Sequence, residues 1–157
     1  MADHVTFTYR RTFPYPVDVA YQWLTDYQDD DGERTTAIVK RRPVIAREGN
    51  KVVLEGHLEI MGRQMQGTAT VHLFPPDRWE AHLHFKNGRG TVYRYRLDPL
   101  PGGRQCRLTA EYEIPARRWT SRLKLHLARP LVMREIDTMW DGFAKSMEKE
   151  LGAAPTP

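Results

Sequence analysis

The last third of the chain places apolar side chains at the spacing of one helical face. Apolar residues recur there every three or four positions. They are Val132, Met133, Ile136, Met139, Trp140, Phe143, Met147 and Leu151. An α-helix has about 3.6 residues per turn, so this spacing gathers the side chains into one stripe. The pattern predicts a long amphipathic helix that must be covered by another apolar surface.

The middle of the chain has a period of two, which is typical of strands with one buried face. Turn residues such as Asn87-Gly88 and Pro101-Gly102-Gly103 interrupt the alternation. The predicted strands are Thr35–Ala46, Lys51–Met61, Met65–Phe74, Arg78–Lys86, Thr91–Leu97 and Arg104–Ile114. Because the loops between successive strands are short, we expect an antiparallel meander.

The start of the chain predicts one more strand, over His4–Thr12, where apolar and polar residues alternate. Pro16 suits the first turn of a helix, and an apolar helical stripe follows from Val19 to Tyr27. Gln28–Arg34 is polar and fits a short second helix or a loop. The expected fold is α+β: a seven-stranded curved antiparallel sheet wrapped around the long C-terminal helix, with two short helices after the first strand.

The composition is that of one globular domain. The chain has 157 residues, of which 40% are hydrophobic and 28% charged. We expect a single domain over residues 1–151 and a flexible tail over 152–157. Cys106 is the one cysteine, so no internal disulfide can form. The N-terminus has no apolar segment typical of a signal peptide, and we expect a cytoplasmic protein.

The net charge is +4, and two basic clusters contribute to it. One is Lys40-Arg41-Arg42, and the other consists of Arg117, Arg118, Arg122, Lys124 and Arg129. Such clusters are usually solvated faces, and they also attract anionic lipids or polyanions. Nucleic-acid binding is not expected, because an exposed sheet with interleaved aromatic residues is missing from the pattern.

Residues 115–130 allow two structures. Trp119, Leu123 and Leu127 recur every four residues, which favours a helix that Pro130 separates from the last one. Leu123, Leu125 and Leu127 also alternate with polar residues, so the pattern fits an extended segment as well. As a helix, the segment would either cover a cavity as a lid or make a weak contact with an anionic membrane. The membrane contact would use Arg117, Arg118, Trp119 and Arg122.

Several patterns in the sequence have the spacing of metal or catalytic sites. His82 and His84 lie two residues apart on one strand face, a spacing that can chelate zinc, and Glu55 and Glu59 are paired carboxylates. The alternation places all four on the outer, solvated face of the sheet. No phosphate-binding loop, dinucleotide-binding glycine pattern or H-E-x-x-H motif occurs. The sequence therefore predicts no metal, no cofactor and no recognisable catalytic residue.

The order of elements resembles that of the START/Bet v 1-like superfamily (SRPBCC; polyketide cyclase/dehydrase and lipid transport), which has the helix-grip fold. Pro16–Asp26, with the sequence PVDVAYQWLTD, is similar to the first helix of that superfamily. Asp141–Leu151, DGFAKSMEKEL, is similar to its last helix. The resemblance implies a cavity between the sheet and the last helix that takes apolar small molecules.

The leading hypothesis is noncovalent binding or transport of an apolar or aromatic small molecule or lipid. Inward-facing strand residues and the last helix supply the candidate cavity. Its predicted lining is Trp23, Tyr27, Leu54, Leu58, Trp79, Phe85, Tyr93, Tyr95, Tyr112, Met139, Trp140 and Phe143. One alternative is an enzyme of the polyketide cyclase/dehydratase kind, which would need a buried acid or base. The other is a protein-interaction module with a filled core, like activators of a chaperone ATPase.

Overall fold

The computed structural model describes residues 3–27, 39–41, 44–60, 63–86 and 90–152. Within these ranges the chain forms one antiparallel sheet. Its strands are β1 (His4–Phe13), β2 (Val39–Arg41), β3 (Val44–Glu48), β4 (Lys51–Ile60), β5 (Arg63–Phe74), β6 (Arg78–Phe85), β7 (Gly90–Pro99) and β8 (Cys106–Pro115). The order across the sheet is β1-β8-β7-β6-β5-β4-β2, and β3 also pairs with β4.

The sheet has seven strand positions, because β2 and β3 pair with successive parts of β4. Val39 lies opposite Leu58, and Val44 lies opposite Leu54. β2 and the first part of β3 fall within the strand predicted over Thr35–Ala46, and β3 continues to Glu48. The predicted seven-stranded antiparallel sheet is therefore confirmed: the strands from β2 to β8 form the expected meander, and β1 joins it beside β8.

In the described part of the chain, three helices accompany the sheet: α1 (Val17–Thr25), α2 (Trp119–Leu127) and α3 (Arg129–Leu151). The helical interpretation of the segment around Trp119 is confirmed, and the extended one is wrong. Pro130 lies in the first turn of α3, where the missing N–H costs nothing. The helix or loop predicted over Gln28–Arg34 lies outside the described residues.

The core lies between the inner face of the sheet and α3, as the helix-grip fold requires. On β1 the inward residues Val5, Phe7 and Tyr9 are buried, as their alternation predicts. Trp140, Phe143 and Met147 are buried from the α3 side. Within the ranges given above, none of the helices has the length together with the hydropathy that a bilayer-spanning segment requires.

Candidate functional site

A cavity of about 120 Å³ lies between the middle strands of the sheet and α3. Its walls come from the end of α1, from β4 to β7, and from the middle of α3. The lining residues are Leu24, Tyr27, Leu54, Gly56, Ala69, Val71, Trp79, Ala81, Leu83, Tyr93, Tyr95, Met139, Trp140 and Phe143. The lining is apolar and aromatic, which suits a small hydrophobic guest.

The hollow exists because three strand positions on its wall carry little or no side chain. Gly56, Ala69 and Ala81 follow one another across β4, β5 and β6, with Leu54 opposite Ala69 and Val71 opposite Ala81. Side chains of this size leave space between the sheet and α3 that larger residues would fill.

Aromatic rings form one side of the cavity. Trp79 and Tyr95 stack with their ring centroids 4.9 Å apart. The ring centroid of Trp140 lies 5.9 Å from that of Tyr95 and 5.2 Å from that of Phe143. Because each ring is held by its neighbours, this wall is preorganised to contact a further ring.

Tyr112 lies beneath this wall and is almost fully buried. The Trp140 Nε1–H donates a hydrogen bond to the Tyr112 hydroxyl oxygen over 2.7 Å. Burial raises the pKa of Tyr112, and the hydrogen bonds with Trp140 and Tyr95 offset part of this rise. The phenol is therefore neutral at physiological pH, and its hydrogen bonds hold the wall in place.

Tyr93 differs from Tyr112 in its hydrogen bonding. Its ring packs edge-on against Tyr112 with the centroids 4.7 Å apart, and it lines the cavity. Burial raises the pKa of Tyr93 to about 12, and no hydrogen bond from the described part of the chain contributes to that shift. A neutral phenol in this position can donate a hydrogen bond to a guest.

The structure brings most of the predicted lining together. Tyr27, Leu54, Trp79, Tyr93, Tyr95, Met139, Trp140 and Phe143 all line the cavity. The side chain of Leu58 lies outside the described part of the structure. Whether any of these residues binds a ligand stays a prediction.

Three other predicted residues lie elsewhere. The Trp23 Nε1–H donates to Glu150 Oε2 over 2.6 Å, which directs the indole to the C-terminal end of α3. Phe85 borders a hollow near the end of β6 together with Gln66 and Lys86. Tyr112 supports the wall from beneath instead of lining the cavity.

Sequence reasoning left out the small residues Gly56, Ala69 and Ala81, and also Leu24, Val71 and Leu83. The alternation along β6 places Ala81 and Leu83 on the same face as Trp79, which is a signal that could have included them. A glycine inside a strand, such as Gly56, can mark a bulge or a sharp bend. A bulge is excluded, because the pairing of β4 with β5 continues in register through Gly56 and Gly67.

The outer face of the sheet is occupied by ion pairs. Arg94 Nη1 lies 2.8 Å from Glu113 Oε2 on the neighbouring strand, and Arg94 holds the pKa of Glu113 below its usual value. Arg96 Nε lies 3.0 Å from Asp98 Oδ2 on its own strand. His82 Nε2 lies 3.2 Å from Glu80 Oε2. Among the described residues, no group of three His, Cys, Asp or Glu side chains is arranged to hold a metal ion.

Solved structures share this fold at low sequence identity. The Zhui aromatase/cyclase from Streptomyces sp. R1128 superposes with a TM-score of 0.77 at 12% identity, covering 98% of this chain and 99% of that one. A START superfamily protein from Mycobacterium smegmatis superposes with a TM-score of 0.62 at 15% sequence identity, covering 94% of this chain and 96% of that one. Ara h 8.0201 superposes with a TM-score of 0.60 at 9% identity, covering 91% of this chain and 99% of that one. The chain thus has the START/Bet v 1-like fold.

No family model matches the chain. A search of curated proteins finds no match either.

Proposed function

We propose that the chain binds a compact aromatic molecule in the cavity and that the Tyr93 hydroxyl donates a hydrogen bond to an acceptor on that molecule. The observation that carries this proposal is an aromatic-walled cavity whose lining includes a neutral phenol with no hydrogen bond from the described residues. A buried hydroxyl without a partner is costly, and a ligand acceptor would remove that cost.

The size of the cavity sets the size of the guest. An engineered cavity of about 150 Å³ lined by apolar side chains binds benzene. The cavity in this chain, at about 120 Å³, is of the same order. We therefore expect the ligand to be a single ring with a small polar substituent. A lipid chain or a multi-ring polyketide fits the cavity volume less well. Met139 can adapt its shape to somewhat different guests.

The fold comparison supports a small-molecule role in a general way. One protein with this fold is an aromatase/cyclase by name. The titratable side chains that the described residues contribute to the cavity are tyrosines. A phenol with a pKa near 12, such as that of Tyr93, is a hydrogen-bond donor at pH 7 rather than a general base. Binding is therefore the function we place first.

A matched pair of ligands tests the proposal. Acetophenone and α-methylstyrene have nearly the same planar shape, but only the ketone carries a hydrogen-bond acceptor. We expect the wild-type protein to bind both and to favour acetophenone by about 1 kcal/mol, or about fivefold in Kd. Titration calorimetry measures both affinities directly. Quenching of Trp79 and Trp140 emission gives an independent reading, because both indoles line the cavity.

Two variants identify which tyrosine hydroxyl donates the hydrogen bond to the ketone. Tyr93→Phe should remove the preference for acetophenone and leave the affinity for α-methylstyrene unchanged. Tyr95→Phe is the matched control, because the Tyr95 hydroxyl already bonds with Tyr112. We expect it to preserve the preference. If neither ligand binds, or if Tyr93→Phe keeps the fivefold preference, the proposal is wrong.

A further inference from the structure

Helix α2 and the first turn of α3 present a row of large apolar side chains to solvent. Trp119 is 73% exposed, Leu123 49%, Leu127 74% and Leu131 50%. The four residues are spaced four apart, and Ala128 between the two helices keeps a helical conformation with φ −81° and ψ −1°. They therefore form one continuous row, which we call the α2 ridge. Monomeric proteins rarely leave a contiguous apolar surface of this kind uncovered.

The opposite side of α2 attaches the helix to the rest of the domain. Leu125 packs against the core. The Arg122 Nε–H donates to the Ala116 carbonyl oxygen over 3.0 Å, and its Nη2 lies 3.7 Å from Asp3 Oδ1. The Arg129 guanidinium lies over the ring of Phe7, 5.6 Å from its centroid. These contacts hold the α2 ridge outward, and they engage Arg122 and Arg129 with the protein itself.

Basic residues accompany the α2 ridge along the chain. No Asp or Glu occurs between Glu113 and Glu135, while this stretch is rich in arginine and lysine. Arg117, Arg118 and Lys124 are exposed. Exposed apolar residues and exposed positive charges thus occur together in one short segment, a combination typical of helices that lie on anionic membranes.

We propose that the α2 ridge binds the surface of an anionic lipid bilayer. Trp119, Leu123, Leu127 and Leu131 enter the interface between headgroups and acyl chains, and Arg117, Arg118 and Lys124 bind the lipid phosphates. A bilayer fits better than a protein partner because the exposed charges beside the ridge are all positive, which matches the phosphates of a continuous anionic surface. A partner protein would need a preformed groove matching four protruding side chains, whereas a bilayer deforms around them. This inference does not depend on the proposed ligand of the cavity.

Vesicle binding tests the proposal directly. The vesicles are phosphatidylcholine with about one-third phosphatidylglycerol, and pure phosphatidylcholine is the uncharged comparison. We expect co-sedimentation only with the anionic vesicles, and binding that weakens as salt is raised. Trp119 also reports the contact by fluorescence, because Trp79 and Trp140 are buried and the partly buried Trp23 lies on α1, outside the ridge. The emission should shift to the blue on binding in the wild-type protein but not in Trp119→Phe.

Matched variants separate the ridge from general surface effects. Leu123→Ser with Leu127→Ser should lower vesicle affinity at least tenfold, while Ile45→Ser with Leu151→Ser, at exposed apolar residues elsewhere, should leave it unchanged. Arg117→Gln, Arg118→Gln and Lys124→Gln together should also lower it at least tenfold. The charge-matched control is Lys51→Gln, Arg104→Gln and Arg107→Gln, all at exposed positions outside α2.

Three results would overturn the proposal. The first is wild-type protein that stays in solution with the anionic vesicles. The second is an equal loss of binding in the ridge variant and its control. The third is concentration-dependent self-association by sedimentation equilibrium that Leu123→Ser with Leu127→Ser abolishes, without any vesicle binding. That result would assign the ridge to a second copy of the chain.

Discussion

The two halves of the sheet meet helix α3 in different ways. On β1 and β8 the inner face carries large side chains that are fully buried, among them Phe7, Phe13 and Leu108. On β4, β5 and β6 the corresponding face includes Gly56, Ala69 and Ala81, and there the cavity lies. We call these the packed half and the hollow half.

The comparison shows that the hollow arises from side-chain size and not from a break in the sheet. The pairing of β4 with β5 runs without a register shift from Lys51–His72 to Ile60–Arg63. The pairing of β5 with β6 is equally continuous. A continuous backbone scaffold with reduced side chains leaves room for a guest without giving up strand hydrogen bonds.

The largest difference should appear when the same leucine truncation is made in both halves. Leu108 on β8 is fully buried, whereas Leu83 on β6 is partly buried and already borders the cavity. We expect Leu108→Ala to lower the free energy of unfolding by about 2–5 kcal/mol, because it opens a new void in close-packed surroundings. Leu83→Ala should cost less than half as much. Chemical denaturation measures both values, and equal losses would contradict the division into halves.

Enlarging an alanine should give the next largest difference. Ala110 on β8 is fully buried, and Ala81 on β6 lines the cavity. We expect Ala110→Leu to destabilise the fold by about 1–3 kcal/mol through overpacking. Ala81→Leu should change stability by less than about 0.5 kcal/mol, because its new atoms enter existing space.

The alanine pair also tests the proposed ligand site. Ala81→Leu should abolish acetophenone binding while the protein stays folded by circular dichroism. A variant that binds acetophenone with wild-type affinity would show that the guest occupies another place.

A pair of cross-strand glycines sharpens the comparison within the hollow half. Gly56 and Gly67 lie directly opposite each other on β4 and β5. A Cβ at Gly67 would lie 2.5 Å from the backbone oxygen of His84, whereas the nearest described atom to a Cβ at Gly56 is the Gly67 oxygen, at 3.8 Å. We expect Gly67→Ala to cost about 1–2 kcal/mol and Gly56→Ala to be neutral or slightly stabilising. Thermal unfolding of the two variants distinguishes them, and a neutral Gly67→Ala would show that β6 can shift freely.

Periodicity predicted most of the fold, because both the sheet and α3 depend on it. Alternation on β6 and β7 placed Trp79, Tyr93 and Tyr95 on the inner face, and the structure has all three in the cavity wall. The small residues were missed for a physical reason. A glycine or alanine adds little to an apolar pattern, yet its missing atoms define the shape of a cavity.

Other errors came from contacts between distant parts of the chain. Trp23 lies on the apolar stripe of α1, but its indole N–H bonds to Glu150, a residue 127 positions away. Tyr112 faces inward as predicted, but its hydroxyl accepts a hydrogen bond from the Trp140 indole and does not line the cavity. Local periodicity gives the face of an element, and only tertiary packing decides which group each side chain contacts.

The smallest expected effect concerns two tyrosines whose pKa values are raised to about 12 by burial, at one of them with the help of a hydrogen bond. At Tyr93, in the hollow half, burial is the cause. At Tyr9, in the packed half, burial is the largest cause, and a hydrogen bond to Asp137 Oδ1 over 2.7 Å adds to it. The ordinary pKa of tyrosine is 10.0, so the folded state holds these protons more tightly than the unfolded state does. Their contribution to stability is complete below pH 10 and is lost as the pH rises from 10 toward 12.

Three substitutions and one ligand separate the two tyrosines in an absorbance titration of phenolate. Asp137→Asn should lower the pKa of Tyr9, because it removes a negative charge, and should leave Tyr93 unchanged. Acetophenone should raise the pKa of Tyr93, because its oxygen binds only the protonated phenol, and should leave Tyr9 unchanged. Tyr93→Phe and Tyr9→Phe assign the two steps. A ligand that moves both pKa values equally would show that the hydrogen bond to the guest does not come from the cavity tyrosine.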